Sequence, residues 1–269
     1  MRSLRRIGLA ILLTFCGYYV ILFFAQRAIL YPCRFISVPE DFELTPRAKR
    51  LWLSHDQGRT PADFYPGDGV DADHPGPVVL FAHGNGELIE HYPGGLRGYT
   101  RRGWSVLMVE YRGAGSADGA ANYANILSDH VGFFDLLRDR PDIDPERIVL
   151  HGRSMGGGIV AAVSRQRRPA GLVLESTYTR IADFAARLLV PSFLVRDKWD
   201  VTAAAAAYGG PTVISHAPDD AIIPYWMAEQ NRVAAPHALA FESDRAHVAP
   251  MPDRFFDVVV EHLEGSWSE

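Results

Sequence analysis

The sequence predicts an α/β fold: a mostly parallel central sheet flanked by helices, with one membrane-length helix in front of it. Three observations carry this expectation. Short apolar runs without polar alternation recur at residues 77–82, 104–109, 148–150, 172–174, 212–215 and 238–241, the mark of strands covered on both faces. Stretches with apolar residues near the helical period lie between and after them, at 126–138, 226–234 and 254–263, and such alternation builds a parallel sheet. The polar clusters of the chain fall just after these runs, where loops at strand C-terminal ends carry the chemistry of such sheets.

Taken in order, residues 7–25 hold no charge and as a helix would span about 28 Å, close to the hydrocarbon thickness of a bilayer. Arg2, Arg5 and Arg6 precede this segment, and Arg27 and Arg34 follow it. The positive-inside rule then places the N-terminus in the cytoplasm and the rest of the chain on the far side. Tyr18 and Tyr19 fall near its middle rather than at an interface. A cleaved signal peptide is the competing reading, against which the long apolar region and the lack of a good cleavage site near residues 25–28 argue. The expected organisation is a transmembrane signal anchor over 1–30, a connector with Pro32, Pro39 and Pro46 over 31–48, and one catalytic-sized domain over 49–269. That domain opens with a hairpin, residues 49–54 and 60–65 around a turn at Asp56-Gln57-Gly58.

Composition excludes several classes. A net charge of −5 without a long run of either sign argues against nucleic acid as a partner. The two cysteines, Cys16 and Cys33, leave the domain without a cysteine pair or cysteine metal cluster of its own. Abundant Ala and Arg with scarce Lys lean toward a GC-rich bacterial genome, in which case the far side is the periplasm.

Gly152-Arg153-Ser154-Met155-Gly156 follows the 148–150 run and precedes a helix-like stretch, 157–165. In that context G-x-S-x-G is the turn that lifts a serine hydroxyl off a sharp strand–helix corner, with glycines where neighbouring backbone crowds it. A serine attacking a carbonyl needs a base, an orienting carboxylate and fixed N–H donors for the developing oxyanion. The N–H of Met155 supplies one donor, and Asn85 in His83-Gly84-Asn85-Gly86 the other. In chain order Ser, acid, His, His247 is the candidate base, since it lies in the loop after the last run. Asp220 is the leading acid, with Asp219 beside it and Glu175 as a further candidate. His83 fits a structural role at its strand end better than a catalytic one.

Together His83-Gly84-Asn85-Gly86, Glu110-Tyr111-Arg112-Gly113-Ala114-Gly115-Ser116, Gly152-Arg153-Ser154-Met155-Gly156-Gly157 and His216-Ala217-Pro218-Asp219-Asp220-Ala221-Ile222-Ile223-Pro224 resemble the α/β-hydrolase superfamily. Within it the chain resembles the membrane-anchored α/β-hydrolase-domain branch. The resemblance covers about residues 25–265. It implies the α/β-hydrolase fold, a Ser154–Asp220–His247 triad, and an oxyanion hole at Asn85 and Met155. Ala246 and Ala217 stand where the family usually has glycine. The reaction implied is cleavage of a carboxylic ester or thioester through an acyl-enzyme, needing no metal or organic cofactor. The substrate would be a small-molecule or lipid-like acyl compound, an acylated protein included. A peptidase on the same fold and a catalytically idle, membrane-tethered scaffold are the rival readings. Residues 180–207, too long for a plain connection, are expected as a small helical cap over the acyl pocket, the alternative being an ordinary helix packed on the sheet.

Overall fold

In the computed structural model, residues 2–92, 94, 96–244, 246–247 and 249–267 are described. One eight-stranded sheet organises the chain. β1 (Lys49–His55) and β2 (Gly58–Tyr65) form the expected antiparallel hairpin, Lys49 opposite Phe64. β3 (Gly76–Ala82), β4 (Ser105–Val109), β5 (Ile143–Arg153), β6 (Gly171–Glu175), β7 (Thr212–His216) and β8 (Ala238–Glu242) come after it. The order across the sheet is β1-β2-β4-β3-β5-β6-β7-β8, with β2 antiparallel to β4 and every later pairing parallel.

The continuous apolar runs have a simple cause: β3, β4, β6 and β7 are buried along their whole length. The two-residue period of the strand sorts their side chains. Val78, Leu80 and Ala82 face a core shared with α3 (Tyr123–Arg138), α4 (Met155–Ser164), α6 (Val201–Tyr208) and α7 (Tyr225–Ala234). Val79 and Phe81 face the opposite core, closed by Tyr99 of the short α2 (Arg97–Thr100) and by α8 (Asp253–Trp267) through Phe255, Val259 and Leu263. Buried Phe or Leu side chains of this kind each contribute about 1.5–3 kcal/mol.

α1 (Arg2–Leu30) is the one helix among the described residues long and apolar enough to cross a bilayer, and its most apolar stretch is unburied. The residues after α1 depart from a simple connector. Tyr31 and Cys33 are fully buried in the main core, and Trp199 Nε1–H donates to the Tyr31 hydroxyl (3.0 Å). The exit of α1 is therefore part of the domain. The cap is also shorter than 180–207. α6 packs between α4 and α7 and buries Val201, Ala204 and Ala205, as an ordinary sheet-covering helix does. The remainder, α5 (Ile181–Arg187) and a 3₁₀ turn at Ser192–Leu194, stands over the C-terminal ends of the strands beside α1.

Candidate active site

Ser154 sits between the last residue of β5 and the first of α4, with φ 52° and ψ −114°. A non-glycine residue there is strained, and the surroundings hold it in place. Its N–H donates to Glu175 O (2.9 Å), and its carbonyl accepts from Thr177 Oγ1 (2.7 Å) and Gly157 N (3.1 Å). The flanking glycines answer to close approach: a Cβ on Gly156 would lie 1.9 Å from Ala82 O, and one on Gly152 2.3 Å from Gly156 O. The first N–H groups of α4, Met155's among them, have no intrahelical acceptor and concentrate positive dipole character beside the hydroxyl.

His247 bridges the expected partners. Its Nδ1 is 2.7 Å from Asp220 Oδ2 and its Nε2 is 3.0 Å from Ser154 Oγ. With Nδ1–H donating to the carboxylate, Nε2 is left free to accept the serine proton. The Asp220 side chain is fully buried. Its Oδ1 accepts the N–H groups of Ile222 (2.8 Å) and Ile223 (2.9 Å). Burial pushes its carboxyl up, but the His247 hydrogen bond, these two N–H groups and the His247 charge outweigh it and hold the group below the usual carboxylate range. Asp219 is exposed. Glu175 is committed elsewhere, accepting from or facing His151 Nε2 (3.0 Å) and lying 3.8 Å from Arg153. His83 is buried between Glu110 Oε1 (2.9 Å) and Gly84 O (2.8 Å) and stacks on Tyr111, away from Ser154 Oγ.

Asn85 lies on the loop after β3, lining the same cavity as Ser154 and Met155. Two clamps fix that loop, and neither is visible in a local motif. Cys33 N–H donates to Asn85 O (3.1 Å). Glu87 Oε2 accepts Gly84 N–H (2.7 Å) and the Tyr92 hydroxyl (2.8 Å), while its Oε1 pairs with Arg153 Nη2 (2.6 Å). Burial raises the Glu87 carboxyl, yet Arg153 and its other partners hold it below the ordinary value. The variable residue of G-x-S-x-G is thus the tie between the serine turn and the loop that bears Asn85.

Ser154, His247, Asn85 and Met155 open into a cavity of about 700 Å³. Its walls are largely apolar. Ile181, Phe184, Leu188 and Leu194 come from the cap, and Leu22, Phe23, Ile29 and Leu30 from α1. Among the described residues no cluster of three His, Cys, Asp or Glu is placed to hold a metal ion.

Comparison with known proteins agrees with this architecture. A model of the hydrolase family described as serine aminopeptidase, S33, matches residues 73–199. The uncharacterized protein YfhR of Escherichia coli O157:H7 is 29% identical over 208 residues, covering 74% of this chain and 73% of that one. The α/β-hydrolase domain-containing protein WAV2 of Arabidopsis thaliana is 31% identical over 56% of each chain. Among solved structures, the Pyrococcus furiosus esterase Pf2001 superposes with a TM-score of 0.63 over 85% of this chain and 93% of its own, at 18% identity.

Proposed function

We propose that this chain is an α/β-hydrolase-superfamily enzyme, a membrane-anchored serine hydrolase that cleaves carboxylic ester or thioester bonds, with Ser154, Asp220 and His247 as its triad. The observation that carries the proposal is His247, within hydrogen-bonding reach of both Asp220 (2.7 Å) and Ser154 (3.0 Å).

The steps follow from that geometry. His247 Nε2 takes the Ser154 proton as Oγ attacks the acyl carbonyl carbon, and Asp220 stabilises the imidazolium. The tetrahedral oxyanion meets the backbone N–H groups of Met155 and Asn85. Its collapse breaks the bond to the alcohol or thiol, which leaves with the proton from His247. Water then attacks the acyl-enzyme, gives its proton to His247, and the acid departs as Oγ recovers that proton. The apolar walls exclude water and suit an acyl chain. α1 is retained as a single-pass anchor rather than cleaved. Leu22, Phe23, Ile29 and Leu30 are cavity walls, and processing near residue 25 would remove part of them. The arginines ahead of the uncharged stretch 7–25 favour a cytoplasmic N-terminus and a domain on the opposite side.

The match to a serine aminopeptidase family favours a second reading, amide cleavage. An aminopeptidase must hold a substrate ammonium, and the carboxylate nearest the cavity, Glu87, is already spoken for by Arg153, Tyr92 and Gly84. Esters therefore fit better. The test is fluorophosphonate labelling of wild type and Ser154→Ala, followed by matched ester, thioester and amide substrates. Labelling confined to wild type with ester or thioester turnover is expected. Amide turnover alone would transfer the assignment to a peptidase, and an unlabelled, folded wild type would make the domain an idle scaffold.

A further inference from the structure

The outer face of the cap carries large apolar side chains that the described residues leave half or more exposed. Leu188, Leu189 and Phe193 are 52%, 71% and 77% exposed. Leu189 has φ 57°, a backbone conformation costly for a bulky residue. The turn around it is nonetheless closed: Leu188 N–H donates to Ala185 O (3.0 Å), Leu189 N–H to Ala186 O (2.9 Å) and Val190 N–H to Ala185 O (2.9 Å). Strain is thus accepted at a leucine displayed to the surroundings.

The position of this face along α1 says what those surroundings are. The Tyr18 hydroxyl donates to Leu188 O (2.7 Å). Gln26 Nε2 donates to Leu194 O (3.2 Å) and its Oε1 accepts Arg196 N–H (2.8 Å). Arg27 pairs bidentately with Asp197 (3.0 and 3.1 Å). Residues 188–197 therefore run along the C-terminal half of α1. If the apolar layer begins after Arg6, about 30 Å of hydrocarbon at 1.5 Å per residue reaches to about Gln26. Leu188, held at the level of Tyr18, then lies about 12 Å inside that boundary. The segment is equipped for such a place. The N–H groups of Leu188, Leu189, Val190, Leu194 and Val195 all find carbonyls within it or in α5, and two of its own carbonyls are capped by Tyr18 and Gln26, as a hydrocarbon environment requires. Tyr18, oddly central for an interfacial residue, has its partner here. Arg187 lines the cavity and sits 5.8 Å over the Phe184 ring.

We propose that residues 188–194 insert into the leaflet beside α1 and that the cavity opens into that leaflet. The substrate is then an acyl lipid taken directly from the bilayer, its chain passing between α1 and α5 to Ser154. The substrate half of this rests on the serine-hydrolase reading, and the insertion half on α1 spanning the membrane.

The full-length protein in phosphatidylcholine vesicles tests both. Leu189→Asp/Phe193→Asp alters two exposed positions that do not line the cavity. It should lower kcat/KM for vesicle-borne para-nitrophenyl palmitate by about ten-fold or more, the loss expected when two apolar contacts with lipid are removed. Turnover of water-soluble para-nitrophenyl acetate should stay unchanged. Unchanged palmitate turnover, or equal loss on both esters, would overturn the lateral entrance. Separately, Phe193→Trp should gain fluorescence that lipids brominated along the acyl chain quench, relative to the parent protein; an unquenched signal would overturn insertion. A wild type that floats with vesicles but hydrolyses neither ester, with the Phe193→Trp variant quenched as expected, would sink the hydrolase reading and the substrate claim while leaving insertion standing. A wild type that fails to float would sink the anchor reading and insertion with it.

Discussion

Replacing Ser154 by glycine should stabilise the fold that it inactivates. The reasoning starts from φ 52° and ψ −114° at a residue with a Cβ, a conformation that costs about 1–3 kcal/mol and that glycine adopts without penalty. Ser154→Ala and Ser154→Gly both delete the hydroxyl and its 3.0 Å contact with His247, so comparing them isolates the backbone. Glycine gives back about 0.4–1 kcal/mol through the greater freedom of its unfolded chain. The net advantage of glycine over alanine is then about 0.5–2 kcal/mol. For a domain of this size that is roughly 1–8 °C in Tm. The assay is thermal unfolding of the two full-length variants in one detergent, with fluorophosphonate labelling to confirm that neither retains a reactive serine. A glycine variant that melts at or below the alanine variant would refute the strain argument, because nothing else in the turn separates the two residues in glycine's favour.

Asp220→Asn should cut kcat/KM by about 10³–10⁴-fold, since an amide cannot hold His247 in the tautomer that accepts the serine proton, whereas Asp219→Asn, at an exposed site, should change it less than about two-fold. The depressed Asp220 carboxyl contributes stability present above its unfolded value, near pH 4, and lost as pH falls through the lower folded value. Melting scans from pH 5 downward should accordingly show a shallower acid decline in Asp220→Asn than in wild type. Glu87→Ala should lower kcat about ten-fold or more with a smaller change in KM, because the loop bearing Asn85 loses the acceptor for Gly84 N–H and the tie to Arg153; single-substrate kinetics on a soluble ester reads the split. Arg27→Ala removes the one cationic partner shown for the buried Asp197 carboxylate and leaves it the Tyr123 N–H (3.1 Å) and the Tyr31 hydroxyl. Discounted for the partial exposure of Arg27, this should cost about 1–3 kcal/mol, seen as a lower Tm, and should raise KM as the α1 wall loosens.

The fold was legible where burial and local chemistry coincide. Strands such as β3 and β7 are covered on both faces, so their apolar runs stand out without alternation, and their ends carry the polar residues. Ser154, Asp220 and His247 could be paired from sequence because strand-end position and chain order leave few alternatives. Asp220 already led Asp219 in the sequence, and the structure puts Asp220 on His247 and on the N–H groups of Ile222 and Ile223 while Asp219 is exposed. Contacts that join distant segments left little trace. Cys33 on Asn85, Arg153 on Glu87 and Arg27 on Asp197 look from sequence like an isolated thiol and ordinary surface charges. The cap boundary failed for a related reason: the Ala-rich α6 has no amphipathic signature separating a lid helix from one buried between α4 and α7. One signal did exist for the α1 contacts, the tyrosines placed mid-helix where an interfacial belt would not put them.

The proposed anchor and the proposed active site are best understood as one mechanical unit. A tether needs only length, yet the exit of α1 is built into the domain at three points: Arg27 on Asp197, Tyr31 beneath Trp199, and Cys33 on the carbonyl of Asn85. The last of these grips the loop that carries the proposed oxyanion donor, so the backbone leaving the apolar helix holds that residue directly. Such stapling fixes the angle between α1 and the cavity mouth. A freely hinged domain would present its mouth to water most of the time and lose the apolar walls that Leu22, Phe23, Ile29 and Leu30 provide. Pairing a buried carboxylate with a helix-end arginine carries a desolvation cost, and what the pair fixes in return is the orientation of α1 against the cavity. An acyl substrate dissolved in a membrane, and scarce in water, demands that orientation; a small soluble ester does not.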